Sequence, residues 1–95
     1  MDNPLTIIQE ALQQAITKHR VVQMEYFSPA SGQFTERAIE PIGMLPSENN
    51  TQVVAYCQMQ QDYRTFRLDR MSKVRISEEV FVVENRLTIE QYLRR

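Results

Sequence analysis

Residues 62–70 read DYRTFRLDR, and the period of this stretch decides the fold. Arg64, Arg67 and Arg70 recur every third residue, which invites a helix with a cationic stripe. A helix here would have to bury an apolar stripe, yet Phe66 and Leu68 stand two apart, not three or four. Alternation fits better. It places Arg64, Phe66, Leu68 and Arg70 on one face and Tyr63, Thr65, Arg67 and Asp69 on the other. The preceding AYCQMQQD ends in a hairpin-like turn. The stretch is therefore read as a strand. Arg64 and Arg70 sit at the two ends of its apolar face, and Arg67 at the middle of the opposite one.

Working outward, TQVVAYCQM is the most strand-like run in the chain, and VVQMEYFS is rich in β-branched and aromatic residues. In the latter, Val22, Met24 and Tyr26 would face one side, and Val21, Gln23, Glu25 and Phe27 the other. FTERAIEPIGML is extended too, but Pro41 cannot donate to a ladder and Gly43 follows it, so a bend, bulge or edge is expected there. MSKVRIS supplies one more short strand around Val74–Ile76. PASGQ, PSENN and QQD are the turns.

Helices flank the strands. Residues 4–20 have helical spacing at Ile8, Leu12, Ala15 and His19, with Asn3 as cap, Pro4 at the first position and Lys18, His19 and Arg20 in the last turn. Thr6 with Gln9 is an alternative capping box. Thr88 and Gln91 form a capping box for a short helix over about 88–94. The expected fold is mainly β: one helix, about five short strands in hairpin succession over 21–77, and a terminal helix, closing as a small, strongly bent antiparallel sheet or barrel.

At 95 residues the chain is a single domain with a modest core. It has no apolar run of membrane-span length and no signal-peptide pattern, and its single cysteine, Cys57, fits a reducing compartment, so a cytoplasmic location is expected. The formal net charge is -1, which gives no whole-molecule attraction to nucleic acid. The charge is unevenly spread. Residues 62–75 carry Arg64, Arg67, Arg70, Lys73 and Arg75 against Asp62 and Asp69, whereas 25–48 carry four glutamates against Arg37. Nine of the eleven basic residues are arginine, the side chain suited to bidentate binding of carboxylate or phosphate.

Catalytic constellations are missing from the sequence. One histidine and one cysteine are too few for a usual zinc site, and two glycines make no phosphate loop. His19 reads as a helix-end residue, Cys57 as a buried small hydrophobe, and the adjacent Glu78 and Glu79 as a solvated edge. The expectation is a protein without enzymatic activity, metal or cofactor. Arginines and aromatics do gather on neighbouring strands: Tyr26, Arg37, Tyr56, Tyr63, Arg64, Phe66, Arg67 and Arg70. Such sets hold single-stranded nucleic acids, with rings on bases and guanidinium groups on phosphates. The structural alternative is that Tyr26, Phe66 and Tyr56 are core and that Arg67 and Asp69 form a cross-strand ion pair. Composition alone favours that alternative, because ion pairs are common on sheets.

VVAYCQMQQDYRTFRLDRM, residues 53–71, closely resembles the signature of the WYL domain family, an apolar strand, a tight turn and then Arg-x-Phe-Arg-Leu-Asp-Arg. The upstream segment resembles the family's first helix and hairpin, with Tyr26, Arg37 and Pro41 in matching places, and LTIEQYLRR resembles the helix that follows the domain. The naming Trp-Tyr-Leu triplet is replaced by Thr51, Gln52 and Val53. The resemblance implies an Sm-like, SH3-type five-stranded barrel. It also implies a ligand-sensing module of bacterial transcription regulators, with single-stranded DNA, RNA or nucleotides as candidate ligands and phage defence or DNA-damage response as settings. No winged helix fits before the first strand, so a free-standing protein or a piece of a larger regulator is expected, and Met1 close to the first helix favours the former.

Two functions follow as expectations. In the first, Arg37, Arg64, Arg67 and Arg70 grip a phosphate-bearing ligand, with Tyr26, Tyr56 or Tyr63 available to stack. In the second, the domain dimerises or docks on a partner regulator through the face bearing Gln52, Val54 and Tyr56, and the arginines are structural.

Overall fold

Asn3 opens the first helix by accepting the Leu5 N–H at 2.8 Å through its side chain, and Pro4 occupies the first helical position. The computed structural model describes residues 3–95. Helix α1 spans Pro4–Lys18, two residues short of the expected end, because His19 adopts φ 56° and caps it in the left-handed region. Its N–H returns to Ala15 and Ile16 carbonyls, satisfying the last turn. Leu12 and Ala15 are fully buried, and Ile8 is partly buried beside them. Truncating a residue such as Leu12 costs about 2–5 kcal/mol, so this one stripe holds α1 in place.

Five strands follow: β1 Arg20–Ser28, β2 Gln33–Leu45, β3 Gln52–Cys57, β4 Asp62–Arg67 and β5 Met71–Val80. They form one antiparallel sheet in the order β4-β3-β2-β1-β5. The inner face carries Val22, Met24, Ile39, Val53, Ala55, Cys57 and Phe66, and packs with Leu12, Ala15, Leu68 and Met71. In β1, Val22 and Met24 join the core and Gln23 is exposed, as alternation predicts, but Val21 on the opposite face is also fully buried, so burial does not alternate along the whole strand.

The sheet is bent along β2. Residues 33–39 of β2 pair with β1, and residues 39–45 pair with β3. Between Pro41 and Gly43 the register slips by one residue, a bulge, which is one of the three irregularities expected there. The curvature can be sized. Tyr26 of β1 and Phe66 of β4 are separated by two intervening strands, yet their ring centroids lie 5.0 Å apart. Three strand spacings would put flat strands roughly 14 Å apart. The sheet therefore curls until its first and fourth strands touch across the interior.

Two expectations are corrected. The stretch 63–70 is not one strand: alternation stops at Arg67, and Leu68–Arg70 form a 3₁₀ turn. Leu68 reaches the core from that turn at 2% exposure, with its N–H on the Thr51 carbonyl. The sheet also does not close into a barrel. β5 pairs with β1, which leaves β4 and β5 as the two edges among the described residues. The chain leaves β4 through the 3₁₀ turn and crosses to the far edge, so no hairpin joins the two. The β4 edge is blunted by side chains: Tyr63 N–H bonds the Asp62 carboxylate at 2.8 Å, and Arg67 N–H bonds the Tyr26 hydroxyl at 3.0 Å.

After β5, a 3₁₀ turn at Val83–Asn85 and helix α2, Ile89–Leu93, run back over the outer face. Thr88 and Gln91 form the expected capping box. No helix among the described residues is long and apolar enough to cross a membrane.

Candidate ligand site

The curl brings four of the expected side chains to one face. Tyr26 packs edge-on against Phe66, and the Arg37 guanidinium lies 5.9 Å from the Phe66 centroid. Arg64 stands two residues before Phe66 on the same face of β4, opposite Ala55. Arg37 donates to Thr35 Oγ1 at 3.2 Å and to Cys57 Sγ at 3.6 Å. The cysteine is fully buried, as expected. Among the described residues, neither Arg37 nor Arg64 has a carboxylate within ion-pair distance, and the same holds for Arg70 in the 3₁₀ turn.

Arg67 is different. It faces outward and forks onto Asp69, Nε to Oδ1 at 3.0 Å and Nη2 to Oδ2 at 2.7 Å. The pair lies along one segment, not across two strands, because the 3₁₀ turn swings Asp69 back beneath Arg67. Arg67's hydrogen bond holds the Asp69 carboxyl below its usual range, and Asp69 in turn raises the guanidinium.

A cavity of about 630 Å³ adjoins Arg37 and is lined by Gln23, Glu25, Glu36, Lys73 and Arg75 among others. Lys73, at φ 52° in a β5 bulge, reaches Glu25 at 2.9 Å, and Arg75 donates to Gln23 Oε1 at 2.7 Å. Glu25 and Glu36 are directly opposed across β1 and β2, a repulsive pairing that Lys73 relieves. Lys73 and Arg75 were legible only as part of the basic segment. Their place beside Arg37 depends on β5 pairing with β1.

Tyr56 and Tyr63 lie on the other face and serve the fold. Arg86 stacks on Tyr56 at 3.7 Å from the centroid, and its fork meets the buried Glu40, Nε to Oε1 at 2.6 Å and Nη2 to Oε2 at 3.3 Å. Glu40 raises the Arg86 guanidinium by that hydrogen bond. Gln58 completes the carboxylate at 3.0 Å. The Tyr63 hydroxyl accepts the Leu87 N–H at 2.8 Å, and its ring meets Tyr92 and Arg95. Ile89 sits against Gly43, where a Cβ would come within 2.7 Å of it. The face of Gln52, Val54 and Tyr56, expected to be free for a partner, is thus occupied in part by the chain's own C-terminal segment, and Val54 is fully buried. The Glu40–Arg86 pair was missed in the sequence, since 46 residues separate its members.

The sequence model of the WYL domain matches residues 8–76. Among solved structures, Proteasome accessory factor B/C (PafBC) of Arthrobacter aurescens is similar, with a TM-score of 0.79 and 25% identity. The match covers 93% of this chain and 14% of that one, so this chain corresponds to a small part of PafBC. No curated protein matches. With most of its length matched by the family model and its signature arginines on the strand and turn described above, the chain belongs to the WYL domain family.

Proposed function

We infer that this chain is a non-enzymatic, ligand-sensing regulatory module that binds a phosphate-bearing ligand, a single-stranded nucleic acid or a nucleotide. The observation that carries this reading is the contrast between arginines of one signature. Arg37 and Arg64 flank the Phe66–Tyr26 pair without carboxylate partners, while Arg67 is already spent on Asp69. Guanidinium groups suit phosphate, and the half-buried Tyr26 is the ring of that pair available to a base, Phe66 being buried in the core. The adjoining cavity is lined by charges of both signs, with Lys73 paired to Glu25 and Arg75 held by Gln23. Arg70 is a further candidate contact from the 3₁₀ turn. The curled five-stranded sheet is read as an open Sm-like barrel. Membership of the WYL domain family and likeness to PafBC support a regulatory role in bacteria; transcription regulation in the cytoplasm, in a phage or DNA-damage response, is the setting proposed for it.

Fluorescence anisotropy with labelled single-stranded DNA and RNA at two salt concentrations tests this. Affinity should fall with salt at about 0.7 log unit per phosphate contacted, per log unit of salt. Arg37→Ala and Arg64→Ala should each weaken binding by roughly 10-fold or more, the worth of a charge-assisted hydrogen bond. Arg67→Ala should change it less than about 2-fold, as expected for an exposed pair already satisfied. No binding by the intact chain, or equal losses for all three variants, refutes the assignment.

A further inference from the structure

The cavity of about 630 Å³ lies on the outer face of β2, β1 and β5, and its size is that of a small-molecule site. Alternation and register give its floor. Gln23 stands opposite Ala38, and Glu25 opposite Glu36, on the face away from Met24 and the core. On the other side of β1, Arg75 pairs with Gln23 and Ser72 with Glu25, so Lys73 and Val74 together oppose Met24 as a bulge. Arg37 borders the cavity from β2, but its guanidinium turns inward to Phe66 and Cys57.

The charges of this floor cancel as a set but not in pairs. Lys73 takes Glu25 at 2.9 Å. Among the described residues, Glu36 has no cation and Arg75 no carboxylate within ion-pair distance. Arg75 makes one hydrogen bond, to Gln23 Oε1 at 2.7 Å, which draws its guanidinium over β1 and leaves its other N–H groups open. One carboxylate and one guanidinium thus remain, on two strands that flank a third. The backbones of those strands are roughly 10 Å apart, two strand spacings. A phosphate at Arg75 would be repelled by Glu36, and a simple cation at Glu36 by Lys73 and Arg75. A compact molecule carrying both charges satisfies both ends.

The next register pair on the same face is Phe27 opposite Phe34. Their ring centroids lie 5.2 Å apart, neither ring belongs to the core, and Phe34 is 54% exposed. Along the face the order is therefore guanidinium, carboxylate, aromatic pair. An amino acid laid along the strands has the matching order of carboxylate, ammonium and side chain. We propose that this face binds a free α-amino acid with a large apolar side chain. Its carboxylate takes the open N–H groups of Arg75, its ammonium takes Glu36, and its side chain lies on Phe34. Lys73 serves by neutralising Glu25, which leaves the site with no net charge for a zwitterion to oppose. The site lies on the opposite face from Phe66 and the Arg37 guanidinium, and it does not rest on the phosphate reading.

The test titrates isotope-labelled protein with L-phenylalanine and with two relatives that each lack one charge, phenylalanine methyl ester and N-acetylphenylalanine. With L-phenylalanine, the amide resonances of Gln23, Glu36 and Arg75 should shift and saturate, while those of Leu12 and Phe66 stay in place. The ester and the N-acetyl compound should each bind at least about ten-fold more weakly, the loss of a charge-assisted contact. Glycine, without the apolar side chain, should do the same. Glu36 and Arg75 are both exposed, so Glu36→Gln and Arg75→Gln leave the core untouched. Each should weaken phenylalanine binding by about ten-fold or more. In Arg75→Gln the ester and the parent amino acid should bind alike, because the carboxylate has lost its partner. No saturable shift up to about 20 mM phenylalanine overturns the proposal. So does equal binding of the ester to wild type, which marks a plain cation site, or of the N-acetyl compound, which marks an anion site.

Discussion

Replacing Arg86 by alanine tests the hold of Glu40 on the C-terminal segment most directly. The substitution removes both guanidinium bonds to Glu40 and the stack on Tyr56. Breaking a buried ion pair by deleting one partner costs about 3–5 kcal/mol. The Arg86 side chain is 22% exposed and that of Glu40 5%, so water reaches one side of the pair. Detachment of the segment would also let water reach Glu40, which limits the loss. The expected destabilisation is therefore nearer about 2–3 kcal/mol, including roughly 0.5–1 kcal/mol from the stack. For a domain of this size that lowers Tm by roughly 10–20 °C. Arg86→Lys keeps the charge but loses the fork and should cost about half as much. Adding Glu40→Gln to Arg86→Ala should recover about 1–2 kcal/mol, because a neutral amide is cheaper to leave underpaired. Urea unfolding followed by circular dichroism measures all four proteins, and hydrogen exchange of the Leu87 amide reports the segment itself. A loss under about 1 kcal/mol for Arg86→Ala, with no recovery in the double variant, would mean an ordinary surface pair and would refute the reasoning.

Further outcomes follow from the same contacts. Tyr26→Phe leaves the Arg67 N–H without its 3.0 Å acceptor and should cost about 1–2 kcal/mol in urea unfolding; a neutral result would show that water replaces the hydroxyl freely. Gly43→Ala puts a Cβ 2.7 Å from Ile89 and should displace α2, shifting Ile89 and Tyr92 resonances while leaving those of Leu12 and Val22 in place; unchanged Ile89 shifts would rule out the close approach. The Asp69 carboxyl titrates lower in the folded chain than in the unfolded one, so its contribution is complete above the ordinary aspartate range, near about pH 4, and disappears as pH falls through the lowered folded value. Comparing thermal unfolding of wild type and Asp69→Asn, the gap should be widest near neutrality and close in acid. A gap that persists or widens at low pH would contradict this.

The local physics of the chain was readable before any coordinates. Asn3 and Pro4 mark a helix start wherever the helix lies, because they act on backbone groups within one turn. Thr88 and Gln91 do the same for α2. Alternation in 21–28 and 53–57 assigns faces by the two-residue period alone, and Pro41 with Gly43 marks the bulge by lacking a donor and a side chain. The resemblance to WYL domains adds a family to these elements, and the family model bears it out.

What the sequence could not settle lies in contacts between distant residues. The three arginines of DYRTFRLDR look alike in one dimension. The curl of the sheet leaves Arg64 beside Phe66 without a carboxylate partner, while the 3₁₀ turn folds Asp69 back onto Arg67. Alternation predicted a longer strand because the pull of Leu68 into the core comes from Thr51 and α1, not from its neighbours. Tyr56 and Tyr63 read as stacking platforms until Arg86 and Leu87 are brought over them. A period reports which side of its own strand a residue faces. Only the tertiary fold decides what waits on that side, because a charge or a ring takes its role from partners that chain spacing does not record.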